Sequence, residues 1–206
     1  MEIRALVLDP DKFYTAPIED HIRTSTVVVL LAAVLEASSL AYTFYLLMRA
    51  TDIGGELGVV SITVLLGLMM FMIVAGWLLV SGAFFWISKL FDGQRNFRAL
   101  AMYVAWGFAP QAFSSAYGVI VLAVLLRPAE ISGSVGGSVT GIAQVSSHPA
   151  AVAGSVLSVA CLIWTAFLWV FAVKHARELS LREATYTVAP VAGPLVLYSI
   201  SQLPIW

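Results

Sequence analysis

The chain has 206 residues, of which 60% are hydrophobic and 11% are charged, and its mean hydropathy is +0.92. Soluble domains average roughly 25% charged residues, so this composition excludes an ordinary soluble protein. The net charge is −1 and no long basic block occurs, which argues against a nucleic-acid partner. The single cysteine, Cys161, excludes an internal disulfide and a multi-cysteine metal site.

Residues 1–23 form a mixed polar segment ahead of the first apolar run, and we interpret them as a cytoplasmic interfacial leader. Phe13 and Tyr14 are expected at the depth of the lipid headgroups, with Lys12 facing phosphate, because aromatic and basic residues commonly anchor chains there. A disordered tail is the alternative for the first few residues. The leader holds more acids than bases, which disfavours a cleaved signal peptide.

Five apolar runs follow the leader. Each is long enough to cross the hydrocarbon core as a helix, which takes roughly 20 residues. They predict a transmembrane domain over residues 24–206, with spans at about 24–48, 57–90, 98–126, 150–173 and 184–205. The predicted fold class is therefore an all-α polytopic transmembrane bundle of five helices.

Polar and helix-breaking residues interrupt several of these runs. Glu36 is the only acid within any of them, and a carboxylate at that depth is costly unless it is neutralised, paired or hydrated. Pro110 predicts a kink near the middle of the third span, where Gln111 could satisfy the freed carbonyls, and Pro190 predicts a bend in the fifth. These four residues form a candidate intramembrane polar site. The alternatives are a protonated Glu36 bonded to a neighbouring helix and prolines that serve shape alone.

The long loop at 127–149 is rich in glycine and serine and holds no phosphate-binding motif. Zinc-protease and nucleophile-elbow motifs are also absent, and the three histidines are scattered over different loops. The sequence therefore predicts a protein that is not an enzyme and needs no cofactor and no metal.

Basic residues are distributed unequally between alternate sides of the predicted spans, nine on one side and two on the other. The positive-inside rule then places the N-terminus and the loops at 89–98 and 174–183 in the cytoplasm, with the C-terminus outside. Six basic residues of these two loops are candidate partner- or lipid-binding residues: Lys89, Arg95, Arg98, Lys174, Arg177 and Arg182.

The chain resembles the Yip1 domain family of five-span integral membrane proteins. The resemblance rests on residues 10–14 ahead of the first span, on the stretch from Asp92-Gly93 to Pro110, and on the stretch from Arg177 to Pro190. It implies five helices, a cytoplasmic N-terminus and, in eukaryotic relatives, work in vesicle traffic through small GTPases or partner membrane proteins. The long polar N-terminal region of those relatives is lacking, so the chain is more similar to compact prokaryotic members and a small-GTPase partner is not expected.

We expect a multi-pass integral membrane protein, located in the cell membrane if the source is prokaryotic. Two functions are expected for it. The first is a membrane organiser or adaptor that binds lipids, other membrane proteins or a second copy through its basic cytoplasmic loops. The second is a small-solute or ion transporter or channel subunit with a midplane site near Glu36, Pro110 and Pro190. A water-filled pocket at Glu36 favours transport, and a dry bundle with Glu36 capped by a hydroxyl favours the organiser.

Overall fold

The computed structural model of the chain describes residues 3–15, 18–50, 56–93, 96–125 and 148–203. Within these ranges the regular structure is entirely helical, which confirms the all-α class. Most of the predicted long loop and Arg95 lie outside the described residues. The α-helices are α1 Ile3–Leu8, α2 Pro10–Tyr14, α3 Ile18–Ala50, α4 Glu56–Ile87, α5 Phe97–Ala105, α6 Ala109–Leu125, α7 Pro149–Arg177 and α8 Leu181–Ser201.

Four helical segments are long and apolar enough to cross a membrane: Thr24–Tyr45, Val60–Phe91, Phe97–Leu125 and Pro149–Arg177. They correspond to the first four predicted spans. Helix α8, where the fifth span is predicted, has 21 residues but is not among these segments. Its threonines, tyrosines, serines and prolines lower its hydropathy below that of the other four.

The leader folds onto the bundle. Asp9 caps α2, since its carboxylate accepts from the Lys12 amide, and Pro10 occupies the first turn, where its missing N–H costs nothing. The Phe13 ring meets Trp106 edge-on at 5.0 Å between centroids, and both Phe13 and Tyr14 are buried in the hydrophobic core. The protein itself covers both rings, so they pack in its core and do not anchor the leader by contact with lipid.

The helices pack in two connected groups. Helix α3 packs against α4 and α6, while α7 packs against α5, α6 and α8. The core is concentrated where α4, α5 and α7 meet, around the side chains of Phe84, Leu100, Val104 and Leu168. Helix α7 thus connects the α3–α4–α6 group to α8.

The third predicted span is broken where the sequence predicts a kink. Helix α5 ends at Ala105, a 3-10 turn covers Trp106–Phe108, and α6 begins at Ala109. Pro110 lies in the first turn of α6 and has no N–H to continue the α-helical hydrogen bonds of α5, which accounts for the break. Helix α8, in contrast, runs unbroken through Pro190 and Pro194.

Gly107 lets α7 approach the break closely. A Cβ atom added at this glycine would lie 2.2 Å from Nε1 and 2.4 Å from Cδ1 of the Trp169 indole, far inside van der Waals contact. The indole is itself buried, so it has no free space into which to move. The absence of a side chain at Gly107 is therefore a packing requirement.

We expect Gly107→Ala to lower the free energy of unfolding by about 1–3 kcal/mol, because overpacking displaces the Trp169 ring. Gly118→Ala in α6 is the matched control, since a Cβ there meets nothing within 4 Å. Denaturant unfolding of the two purified variants in the same detergent measures the difference. Equal stability of the two variants would contradict the close contact.

Candidate functional site

Two tryptophans donate to backbone carbonyls of α5 just ahead of the break. Trp77 of α4 donates its indole N–H to the Ala101 carbonyl oxygen at 2.8 Å, and Trp169 of α7 donates to the Val104 oxygen at 3.1 Å. A helix that stops inside a membrane leaves carbonyls without intrahelical donors, and lipid offers no replacement. Trp169 meets this requirement at Val104, one of the last four carbonyls of α5, while Trp77 gives the Ala101 carbonyl a bond in addition to its helical one. Both indoles attach α5 to its neighbours.

A hydroxyl serves the carbonyl inside the break itself. Thr165 of α7 is buried and donates to the Gly107 oxygen at 2.8 Å, while the Gln111 amide nitrogen lies 3.5 Å from the Thr165 hydroxyl. Gln111 was the residue expected to satisfy such carbonyls, but Thr165 does so directly. The Tyr14 hydroxyl of the leader makes a longer contact of 3.4 Å to the Tyr103 oxygen.

The carboxyl group of Glu36 lies near the middle of the first membrane-spanning segment and bonds to α6. The Ser115 hydroxyl is 2.6 Å from Glu36 Oε1 and 2.8 Å from the carbonyl oxygen of Gln111. A serine hydroxyl has a single proton, so it donates to one of these acceptors at a time. A protonated Glu36 that donates to Ser115 allows Ser115 to donate to Gln111, which satisfies all three groups.

Glu36 also lines two cavities, one on each side of α6. The first, of about 420 Å³, lies among α3, α4 and α6 and is bordered by Leu40, Met69, Phe108 and Gln111. The second, of about 300 Å³, lies among α3, α6 and α7 and is lined largely by serines and small residues. The carboxyl group is therefore both capped by a hydroxyl and open to cavities, a combination of the two situations that the sequence left as alternatives.

The prolines of the candidate polar site are placed differently from each other. Pro110 belongs to the break and precedes Gln111, which borders the 420 Å³ cavity. Pro190 lies on the exposed side of α8, which packs on α7, and it borders neither cavity at Glu36. The structure thus brings together Glu36, Gln111 and the Pro110 break.

Among the six basic candidates, Lys174 is engaged within the protein. Its ammonium nitrogen lies 2.5 Å from Asp11 Oδ1, and the His175 ring nitrogen Nε2 lies 2.7 Å from the same oxygen. The hydrogen bonds from Lys174 and then from His175 lower the pKa of the Asp11 carboxyl below its usual value. This cluster ties the leader to the end of α7.

Arg177 is completely buried. Its Nε donates to the Ser88 hydroxyl at 2.8 Å, its Nη2 donates to the Gly93 carbonyl at 2.9 Å, and its guanidinium lies 4.5 Å from the centre of the Phe85 ring. These contacts connect the end of α7 to the turn that follows α4. Arg177 therefore has a structural role, and its side chain is not accessible to a partner.

The other described basic candidates, Lys89, Arg98 and Arg182, are exposed. The Lys89 ammonium lies 3.8 Å above the Trp86 ring, and the Arg182 guanidinium lies 5.5 Å from the Tyr186 ring and donates to its hydroxyl at 3.2 Å. Cation–aromatic pairs of this kind hold a charge near the surface while it stays accessible.

Sequence reasoning missed three residues that position these groups: Asp11, Ser115 and Thr165. Ser115 follows Gln111 by one helical turn, and this i, i+4 spacing was a detectable sign that both share a face. Thr165 and Asp11 carried no comparable signal, because their partners lie on distant parts of the chain. Among the described residues, no group of three or more His, Cys, Asp or Glu side chains could hold a metal ion.

A family profile described as the Yip1 domain matches residues 4–202, nearly the whole chain. No curated protein and no solved structure matches the chain.

We expect Arg177→Ala to lower the free energy of unfolding by about 2 kcal/mol or more, because it removes buried side-chain packing and leaves the Gly93 carbonyl and the Ser88 hydroxyl without a donor. Arg182→Ala, five residues later and exposed, is the matched control and should cost no more than about 1 kcal/mol. Denaturant titrations of both variants in detergent provide the comparison. Similar losses of unfolding free energy in the two variants would show that Arg177 contributes no more to stability than an exposed arginine.

Proposed function

Because the chain belongs to the Yip1 domain family, we propose that it is a non-enzymatic integral membrane protein that acts as an organiser or adaptor at the cytoplasmic surface. It gathers partner membrane proteins and anionic lipids through exposed basic residues beside the membrane. No chemical conversion is part of this proposal.

The observation that carries the proposal is an exposed basic and aromatic surface, here called the docking face. Trp86 and Leu90 are 69% and 80% exposed, and Lys89 lies between them in the chain. Stacking of Phe91 on Tyr186, at 6.5 Å between ring centroids, joins this end of α4 to the start of α8. The docking face consists of Trp86, Lys89, Leu90, Arg98, Arg182 and Tyr186.

The composition of the docking face suits a partner at headgroup depth. Exposed tryptophan and leucine favour the boundary between hydrocarbon and water, while lysine and arginine favour phosphate or carboxylate groups. Lys174 and Arg177 are left out of the face because the protein uses both internally. Its partners are therefore anionic lipids, membrane proteins with an acidic segment next to the bilayer, or a second copy that presents such a segment.

The proposed topology has five spans, with α8 as the fifth, the N-terminus and the docking face in the cytoplasm, and the C-terminus outside. The unequal distribution of basic residues supports this orientation. For a prokaryotic source the membrane is the cell membrane.

A reporter that is active only in the cytoplasm should stay inactive when fused after residue 206 and become active when fused before residue 1. The physical reason is the cost of moving the basic loops across the membrane. Fusion after Gly93, in the loop that follows α4, is the internal control and should be active. An active C-terminal fusion would contradict the five-span topology.

The docking face is tested by photo-crosslinking in native membranes, with a photoreactive amino acid at the exposed position of Leu90. We expect adducts with partner proteins or anionic lipids, and we expect the triple charge reversal Lys89→Glu, Arg98→Glu and Arg182→Glu to reduce them by tenfold or more, since each cation near the surface contributes about 1 kcal/mol.

The triple exchange Lys89→Arg, Arg98→Lys and Arg182→Lys preserves charge and serves as the control. It should retain most of the adducts. An adduct pattern that is the same in the charge-reversed and wild-type chains would remove the adaptor proposal.

A transporter or channel subunit is the second candidate function, and the cavities on both sides of Glu36 favour it. Flux of small cations across proteoliposomes that contain the purified chain should then fall by tenfold or more in Glu36→Gln, which keeps the size of the side chain and removes its charge. Asp92→Asn is the control, because this exposed residue lies outside the bundle. Flux that is absent, or unaffected by Glu36→Gln, would leave no argument for transport.

A further inference from the structure

We propose that the 420 Å³ cavity beside Glu36 binds a lipophilic primary amine that enters from the bilayer. The ammonium group pairs with the Glu36 carboxylate, and the hydrocarbon tail lies along Leu40, Met69, Ile73 and Phe108. This site, the Glu36 groove, is separate from the docking face and does not depend on the adaptor function.

In the membrane-spanning segments, lysine, arginine and histidine occur only at the ends, away from Glu36. Between residues 24 and 45, 60 and 87, 99 and 125, and 149 and 173, the sequence contains no lysine, arginine or histidine. Lys174 and His175, at the end of α7, pair with Asp11. An acid at the depth of Glu36 requires either a proton or a cation. Among the described residues no basic side chain forms an ion pair with Glu36, so the proposal takes the cation from another molecule.

The lining of the groove selects the kind of cation. One carboxylate, the Gln111 amide and the hydroxyls of Ser39 and Thr43 are its polar groups, and the remaining wall is apolar. Calcium takes six to eight oxygen ligands and magnesium keeps most of its water, so neither suits this set. An ammonium group has three N–H donors and needs few acceptors, and an attached alkyl chain gains from the apolar wall.

Ser115 prepares the carboxyl group for this exchange. It contacts Oε1 at 2.6 Å from the α6 side and leaves Oε2 for the ligand. A neutral amine arriving from lipid accepts the carboxyl proton: the O–H bond of Glu36 breaks, an N–H bond forms, and an ammonium–carboxylate pair results. Ser115 then donates to the carboxylate. No net charge crosses the hydrocarbon in this step, which explains how a cation reaches a site at this depth.

The test uses an alkyl amine with a terminal benzophenone, which photolabels C–H bonds, added to the full-length protein in lipid nanodiscs. We expect labels on peptides that contain Leu40, Met69 or Phe108, and we expect octylamine to compete with them. Glu36→Gln should reduce this labelling by about tenfold, the consequence of losing the charged partner, while Asp92→Asn should leave it unchanged. The alcohol with the same chain and the same benzophenone controls for partition into lipid and should label these peptides at least tenfold less than the amine.

Labelling that is equal in Glu36→Gln and in the wild type would overturn the proposal, and so would equal labelling by amine and alcohol. The comparison of amine with alcohol uses the wild-type chain, so it decides the matter even if Glu36→Gln fails to fold. Neither result bears on crosslinks at Leu90, so failure of this site and failure of the docking face are distinguishable.

Discussion

The hydrogen bonds to the carbonyls of the broken third span are the interaction on which the rest of the structure depends. A helix interrupted in lipid must find donors for its free carbonyls within the protein. The indole of Trp169 and the hydroxyl of Thr165 supply them from α7, and the Trp77 indole of α4 adds a bond to the Ala101 carbonyl just before them. Those bonds fix α4 and α7 against the broken span, and the missing side chain of Gly107 lets α7 come close enough to make its own.

The buried guanidinium of Arg177 extends this arrangement to the C-terminal end of α7. It connects the end of α7 to the turn after α4, where Gly93 leaves little room beside it. The Asp11 cluster then draws the leader onto the same end of α7. Basic residues here have two different roles: Lys174 and Arg177 hold the fold together, while Lys89 and Arg182 rest on exposed aromatic rings and remain accessible.

Local properties of the sequence predicted the helices well. They did not predict contacts between residues that lie far apart in the chain. Apolar run length located four of the membrane-spanning segments, and the chemistry of Pro110 predicted the break. Arg177 and Arg182 look equivalent in the sequence, since both belong to one basic loop. The difference between them comes from the end of α7, which ends at Arg177. Arg177 points into the protein, and Arg182, in the next helix, stays at the surface. Phe13, Tyr14 and Thr165 were misjudged or missed for the same reason: their partners are far away in the chain.

The two proposed sites use opposite properties of the same bundle. The docking face needs a fixed arrangement of charges, and it lies where α4, α7 and α8 are joined by Arg177 and by the stack of Phe91 on Tyr186. The Glu36 groove needs space, and it lies on the other side of the break, where α3 and α6 leave cavities on both sides of Glu36. Helix α6 begins at the break and carries Ser115, so the bonds that hold α5 rigid also set the position of the hydroxyl that caps Glu36. A change in the charge of Glu36 therefore acts first on α3, which carries the carboxyl group, and on α6, which carries Ser115.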